Sequence, residues 1–212
     1  MVRESADGPL QVVVFDENAR IRFQVACEDK QRNPAVTPDG NGILLEANTG
    51  ELPQVYSFYK SSGKVQSLGI GPNARLLDWV PGTHQAVFVT SVGYDNRYRL
   101  IDWNTGKTLW DVGDPCRRVN PVARAVVALQ DYVLTCGAEY INEEHPVTIP
   151  TLYALSTKSG EVVARWWPNF GPIVGYDGGT LLELNGKLYF VSNDYVGEIR
   201  LEEIASKANG WE

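Results

Sequence analysis

Glu143-Glu144-His145 sets two carboxylates beside one of only two histidines in the chain. That combination could move a proton, because a carboxylate can orient an imidazole that exchanges its proton near neutral pH. Two carboxylates and a histidine in a polar loop are more often a solvated segment. No serine, cysteine or lysine can be named as their partner. The other histidine is His84, and the cysteines are Cys27, Cys116 and Cys136, with no CxxC pair among them. A Cys/His zinc centre has little to draw on. The odd cysteine count excludes a fully paired set of intrachain disulfides. One Cys116–Cys136 bridge is compatible with the sequence, and three reduced structural cysteines is the simpler expectation. Asp39-Gly40-Asn41, Asp95-Asn96 and Asp177-Gly178-Gly179 offer oxygen ligands, but none has the spacing of a calcium loop. They read as Asx turns. No metal, cofactor or catalytic residue is assigned.

Binding residues are easier to nominate than catalytic ones. In the pair Trp166-Trp167, strand alternation buries one ring and exposes the other. An exposed tryptophan suits an interaction hot spot, so Trp167 is the first surface candidate. Tyr94, the basic pair Arg117-Arg118, and Tyr140, Glu143, Glu144 and His145 of the segment 138–150 join it. All lie in connections that the repeat described below places at one end of the molecule, where ligand and partner sites are usual.

Bulk properties narrow the class. The chain has 212 residues, 43% hydrophobic and 21% charged, with 20 glycines, 12 prolines and a net charge of −7. That mixture suits many short strands joined by turns. An acidic chain without a basic stripe lacks the footprint of a nucleic-acid binder, and Arg117-Arg118 is too short to track a phosphate backbone. No apolar run is long enough to span a membrane. Met1 to Pro9 is polar and lacks the apolar core of a signal peptide. The compartment is therefore the cytoplasm, unless a signal peptide was removed ahead of this segment.

Four segments read alike: 12–20, 55–64, 98–107 and 152–161. Each is an apolar strand, a polar turn and a second strand. Gly63, Gly106 and Gly160 stand where the turn needs positive φ. The first copy has Asn18-Ala19 instead, one residue shorter, so its turn should differ. Phe15 and Phe58 are 43 residues apart, Phe58 and Ile101 are again 43, and Ile101 and Leu155 are 54 apart, one period plus an insert of 11. A period of roughly 40–45 residues, each a four-stranded unit, marks a β-propeller. A turn followed by a strand recurs between these copies, at 39–45, 82–89, 130–134 and 185–190. Only Leu201 to Asn209 suggests a helix.

The expected fold is all-β: one propeller domain over 1–212, with units near 10–28, 33–69, 74–112, 121–167 and 178–203. Three units are complete. The first is a c–d hairpin and the last an a–b hairpin with one further strand. Pairing these halves closes a ring of four blades; counting them separately makes five; a third reading is part of a larger propeller.

The segment Leu100-Ile101-Asp102-Trp103-Asn104-Thr105-Gly106-Lys107-Thr108-Leu109-Trp110 resembles the repeat of quinoprotein-like (PQQ-type) β-propellers. The resemblance implies that Trp110 packs between adjacent blades. Phe23, Ser67 and Ala164 stand at its position in the other copies. WD40 repeats share the period without their Gly-His and Trp-Asp pairs appearing at each repeat. Catalytic quinoproteins of this fold close about eight blades over their cofactor, more than 212 residues can build at this period. No catalytic residue or cofactor is therefore carried over. The expected function is a non-catalytic scaffold that binds a protein partner, as an accessory subunit of an assembly. A sugar-type ligand-binding propeller using Trp167, Tyr94 and the insert is the alternative, and an enzyme of unknown reaction the second.

Overall fold

The computed structural model describes residues 2–3, 11–26, 31–47, 55–63, 65–71, 74–92, 95–115, 126–140, 148–166, 180–191, 196–200 and 202. They form five antiparallel sheets. Sheet I holds β1 (Val2–Arg3), β2 (Gln11–Phe15) and β3 (Ile21–Ala26). Sheet II holds β4 (Gln31–Val36), β5 (Gly42–Ala47), β6 (Val55–Lys60) and β7 (Val65–Leu68). Sheet III holds β8 (Arg75–Trp79), β9 (Gln85–Val92), β10 (Asp95–Asp102) and β11 (Lys107–Gly113). Sheet IV holds β12 (Val126–Ala128), β13 (Tyr132–Tyr140), β14 (Thr148–Ser156) and β15 (Val162–Trp166). Sheet V holds β16 (Thr180–Leu184), β17 (Lys187–Val191) and β18 (Val196–Ile199). Strand order follows chain order in each, the meander of a propeller blade. In the segment expected to be helical, Glu202 is helical.

Alternation along each strand buries both faces of a blade. Along β9, Ala86 and Phe88 point toward sheet II, while Val87 points toward sheet IV. Along β10, Ile101 faces sheet II, and Tyr98 and Leu100 face sheet IV. Four apolar clusters result. Val12, Val14, Ile43, Leu45 and Tyr59 join sheets I and II. Leu44, Phe58, Phe88 and Trp103 are among those joining II and III. Val87, Leu100, Trp110 and Val133 join III and IV, and Leu134, Leu152, Phe190 and Ile199 join IV and V. Each cluster lies between sheets consecutive in the chain.

The register corrects the repeat. Phe58 pairs with Leu44, and Leu100 pairs with Val87. Phe58 therefore corresponds to Leu100, and Tyr59 to Ile101. The 43-residue step from Phe58 to Ile101 joins residues on opposite faces, because a slip of one residue exchanges the faces of a strand. The cause is turn length. Gly63 N–H donates to Lys60 O at 2.8 Å, closing a turn one residue shorter than those in which Gly106 N–H reaches Asp102 O and Gly160 N–H reaches Ser156 O. For the same reason the position matching Trp110 in sheet II is Gln66, opposite Phe58, rather than Ser67.

The first turn differs from those at 102–106 and 156–160, as expected, yet it matches the one at 60–63. Ala19 N–H donates to Asp16 O at 3.0 Å. Ala19 takes φ +61°, the left-handed conformation that Gly63 takes at +80°. Asp16 Oδ1 caps the N–H groups of Asn18 and Arg20, both at 2.9 Å. Asn185 (φ +52°) and Gly186 (φ +72°) form the two-residue hairpin between β16 and β17, the pair best suited to that turn.

The terminal halves do not merge into one blade. The edge of β2 expected to receive a C-terminal strand is taken by β1, through Val2↔Val12 and Arg3↔Gln11. Sheet V stands apart, with β18 paired to β17. Five sheets, not four, are present among the described residues.

Candidate functional site

The two ends of the stacked sheets are built differently. At one end lie the a–b and c–d turns, all tight. At the other lie the b–c and d–a connections; the b–c ones are bracketed by the paired strand ends Ala47↔Val55, Val92↔Asp95, Tyr140↔Thr148 and Val191↔Val196 and run from two residues (93–94) to seven. The d strands end there too, since each sheet is an antiparallel meander. This is the end to which the sequence assigns partner binding.

Most sequence candidates fall in those connections. Tyr94, Arg117, Arg118, Glu143, Glu144, His145 and Trp167 lie outside the described residues. So do Cys27, Cys116 and Asp177 to Gly179. Tyr140 is the last residue of β13, its backbone paired with Thr148. Cys136 is buried in the cluster between sheets IV and V.

Polar side chains cluster toward this end on both faces of sheet III, Tyr98 and Asn96 on the side of sheet IV and Arg97, Arg99 and Asp111 on the side of sheet II. Tyr98 and Thr135 are buried, and their hydroxyls lie 2.9 Å apart. Asn96 is buried and accepts from Ser91 Oγ at 2.6 Å, while Asp114 N–H donates to Asn96 O at 2.9 Å. Asp111 takes Arg97 Nε at 2.6 Å and Arg99 Nη2 at 2.7 Å. Arg99 also donates to the Ile70 carbonyl, tying β10 to the segment after β7. These groups hold strand ends together and place no nucleophile beside a base.

The turn end carries further inter-sheet fastenings. Trp110, at the repeat's tryptophan position, is buried in the III–IV cluster, and its Nε1–H donates to Thr157 O at 2.9 Å. Its ring lies against Gly160, where an added Cβ would stand 2.8 Å from Trp110 Cδ2. Gly106 meets Gln66 of the preceding sheet in the same way, at 2.6 Å from Nε2. A Cβ at Gly63 would meet nothing within 4 Å, so there glycine answers only to the positive φ. Lys60 reaches across to Asn104 Oδ1, and Arg22 to Asn41 Oδ1 at 3.3 Å.

The shifted titrating groups serve structure. Asp78 is pushed up by burial, although its carboxylate accepts from Ala128 N–H at 2.7 Å and Trp79 N–H at 2.8 Å. The first of those bonds joins sheet III to sheet IV. Burial pulls Asp39 upward, but the donors Thr37 Oγ1 (2.5 Å) and Asn41 (N–H 3.0 Å, Nδ2 3.2 Å) outweigh it and hold the carboxyl below the usual range. Its oxygens are thus engaged in an Asx turn. Tyr56 is pushed up to about 12, by burial and then by the charge of Glu46. Its hydroxyl donates to Ala74 O at 3.1 Å and accepts from Leu76 N–H at 3.3 Å, fixing the entry of β8 against β6. No sequence signal pointed to Asp78 or Tyr56, because their partners are backbone groups of distant strands. Trp110 was visible from its motif.

Solved structures share the architecture. The β-propeller domain of the Trilobed protease from Pyrococcus furiosus aligns over 92% of this chain and 63% of its own, with a TM-score of 0.57 and 14% identity. BamB from Moraxella catarrhalis aligns over 98% of this chain and 59% of its own, with a TM-score of 0.55 and 18% identity. The acylaminoacyl peptidase of Pyrococcus horikoshii aligns over 90% of this chain and 35% of its own, with a TM-score of 0.53 and 12% identity. The chain thus spans about three-fifths of the first two. No family model matches the chain, and no curated protein matches it by sequence. At these identities the likeness is one of fold: this chain has the β-propeller fold, in five consecutive antiparallel sheets.

Proposed function

We propose that the chain is a non-catalytic propeller module whose connection-bearing end binds a protein partner as part of an assembly. One observation carries this reading: the asymmetry between the two ends. Every described a–b and c–d turn is tight, while the connections after β5, β11, β13 and β15 each span seven residues or more between strand ends. A rigid stack that concentrates its long connections at one end is built to present them, and long ordered-scaffold loops are where binding residues gather. The shifted carboxyls of Asp39 and Asp78 are spent on turns and on sheet–sheet bonds, which supports a scaffold over an enzyme.

The test is affinity purification from the source organism with the intact chain, Trp167→Ala, and Glu143→Ala/Glu144→Ala/His145→Ala. A specific protein should co-purify in stoichiometric amount with the intact chain and be lost with at least one variant. A chain that brings down nothing, or a partner retained by both variants, overturns the assignment. Activity on a small substrate that the triple variant abolishes would replace the scaffold with an enzyme.

A further inference from the structure

The chain holds three Asn-Gly steps, at 41–42, 185–186 and 209–210, and the first two lie among the described residues. Such a step carries its own electrophile and nucleophile. The glycine nitrogen can attack the asparagine Cγ, and glycine hinders that attack least because it carries no Cβ beside the nitrogen. Whether the attack occurs depends on what holds the two groups. At Asn41-Gly42 both are held. Asn41 Nδ2 donates to Asp39 Oδ2 at 3.2 Å, and its Oδ1 accepts from Arg22 Nη2 at 3.3 Å. Gly42 is buried, its N–H donates to Thr37 Oγ1 at 2.9 Å, and the Phe58 ring lies against its Cα.

At Asn185-Gly186 neither group is held. These two residues alone close the hairpin between β16 and β17, with Leu184 paired to Lys187. Both are exposed. Among the described residues no hydrogen bond engages the Asn185 carboxamide or the Gly186 N–H. A Cβ at Gly186 would meet nothing within 4 Å, so the tip of the turn has room to move. Bringing the Gly186 nitrogen to Asn185 Cγ takes rotation about two bonds of Asn185, opposed by the pairing at the hairpin's end and by no packed neighbour.

We infer that Asn185 is a modification site at which the folded chain deamidates without an enzyme, water being the co-reactant. The Gly186 nitrogen gives its proton to solvent base and bonds to Asn185 Cγ. The Cγ–Nδ2 bond breaks, and the side-chain nitrogen takes up a proton and leaves as ammonia. Water then opens the cyclic imide at either carbonyl. Opening at Cγ leaves aspartate; opening at the α-carbonyl leaves isoaspartate, whose backbone runs through Cβ and Cγ. Nothing is oxidised or reduced. Each product puts a negative charge on an uncharged turn. Isoaspartate also lengthens a turn that fixes the register of β16 against β17, and so loosens the Leu184–Lys187 pair. The site lies at the turn end and does not depend on partner binding at the connection-bearing end.

The experiment ages the intact chain at mildly alkaline pH, folded and in urea, and follows each Asn-Gly step by peptide mass mapping. The readouts are the mass gained on exchanging NH for O and labelling by an isoaspartate-specific methyltransferase. In the folded chain Asn185 should convert roughly tenfold faster than Asn41 or more, because Asn41 must first open buried hydrogen bonds. In urea the two should convert at similar rates, which assigns the difference to the fold. Asn185→Gly keeps a residue suited to the left-handed turn and removes the reacting amide; its peptide should stay unlabelled, with an unchanged circular dichroism spectrum. Equal conversion of Asn41 and Asn185 in the folded chain overturns the inference, as does faster conversion of Asn41. An Asn185 that stays intact in the folded chain while it converts in urea overturns it as well, since the turn would then protect it.

Discussion

Gly160 should be costlier to substitute than Gly63, and the excess should reside in Trp110. Both glycines close c–d turns at similar φ, +75° for Gly160 and +80° for Gly63, although the turn at Gly63 is one residue shorter. Alanine in that conformation costs about 1–2 kcal/mol, offset by roughly 0.5–1 kcal/mol because alanine loses less backbone entropy on folding. Gly63→Ala meets nothing within 4 Å, so it should cost about 1 kcal/mol and no more. Gly160→Ala drives Cβ to 2.8 Å from Trp110 Cδ2 and 2.8 Å from Val112 Cγ1. Overpacking of a filled site adds about 1–3 kcal/mol, for a total near 2–4 kcal/mol. Trp110→Ala removes a buried indole and its bond to Thr157 O, and should cost about 3–5 kcal/mol. It also removes one of the two obstacles to the new Cβ. The double variant should therefore be more stable than the sum of the single effects by about 1 kcal/mol or more. Urea unfolding followed by circular dichroism measures all four terms. Because stacked repeats can open in parts, amide exchange in β10 and β14 localises the loss to the III–IV interface. Equal costs for Gly63→Ala and Gly160→Ala, within about 0.5 kcal/mol, would refute the reasoning, as would strict additivity with Trp110→Ala.

Three further outcomes are expected. Tyr56→Phe keeps the ring but strips the hydroxyl from Ala74 O and Leu76 N–H; it should cost about 1–3 kcal/mol by urea unfolding, with faster amide exchange at Leu76. Ala19→Gly relieves a left-handed alanine, and should raise stability by up to about 1 kcal/mol, while a loss would show that Ala19 is not strained. Asp78 and Asp39 should give opposite pH slopes. Asp78 holds its proton more tightly folded than unfolded, so it stabilises at low pH and withdraws that stability as pH rises through the window above the ordinary aspartate value. Asp39 holds its proton less tightly folded, so its contribution is present above the ordinary value and lost as pH falls below it. Carboxyl NMR titration, with unfolding midpoints of Asp78→Asn and Asp39→Asn against pH, checks both signs.

The strands were legible because the physics that makes them is local. Apolar runs that follow a turn mark β9 and β17, and glycine marks the turns at 63, 106 and 160. Registration between copies was not legible, because it depends on whether a turn closes through three residues or four. That difference reverses which of Phe58 and Tyr59 corresponds to Ile101 without altering either strand's pattern. Of the three readings left open for the termini, their pairing into one blade failed on β1, a two-residue strand too short to show alternation, and five separate sheets are what the described residues form. Of the side chains that fasten the sheets, Trp110 announced itself through its motif. Asp78 did not, since its partner is a backbone N–H 50 residues away. The proposed binding residues were legible only as members of long connections, because loop chemistry carries no periodicity to read.

The four apolar clusters also bear on how the chain reaches this state. Each joins sheets made one after the other, so none waits for a distant segment to close a long loop. The entropy of ordering is met in instalments of one unit, with little growth in loop-closure cost from one to the next. Sheet II, once synthesised, finds the Val12 and Val14 face of sheet I already formed, and sheets III, IV and V repeat that step in turn. Assembly can thus keep pace with synthesis from the N-terminus. A substitution in one cluster delays the docking of the sheets that follow it and leaves those before it in place.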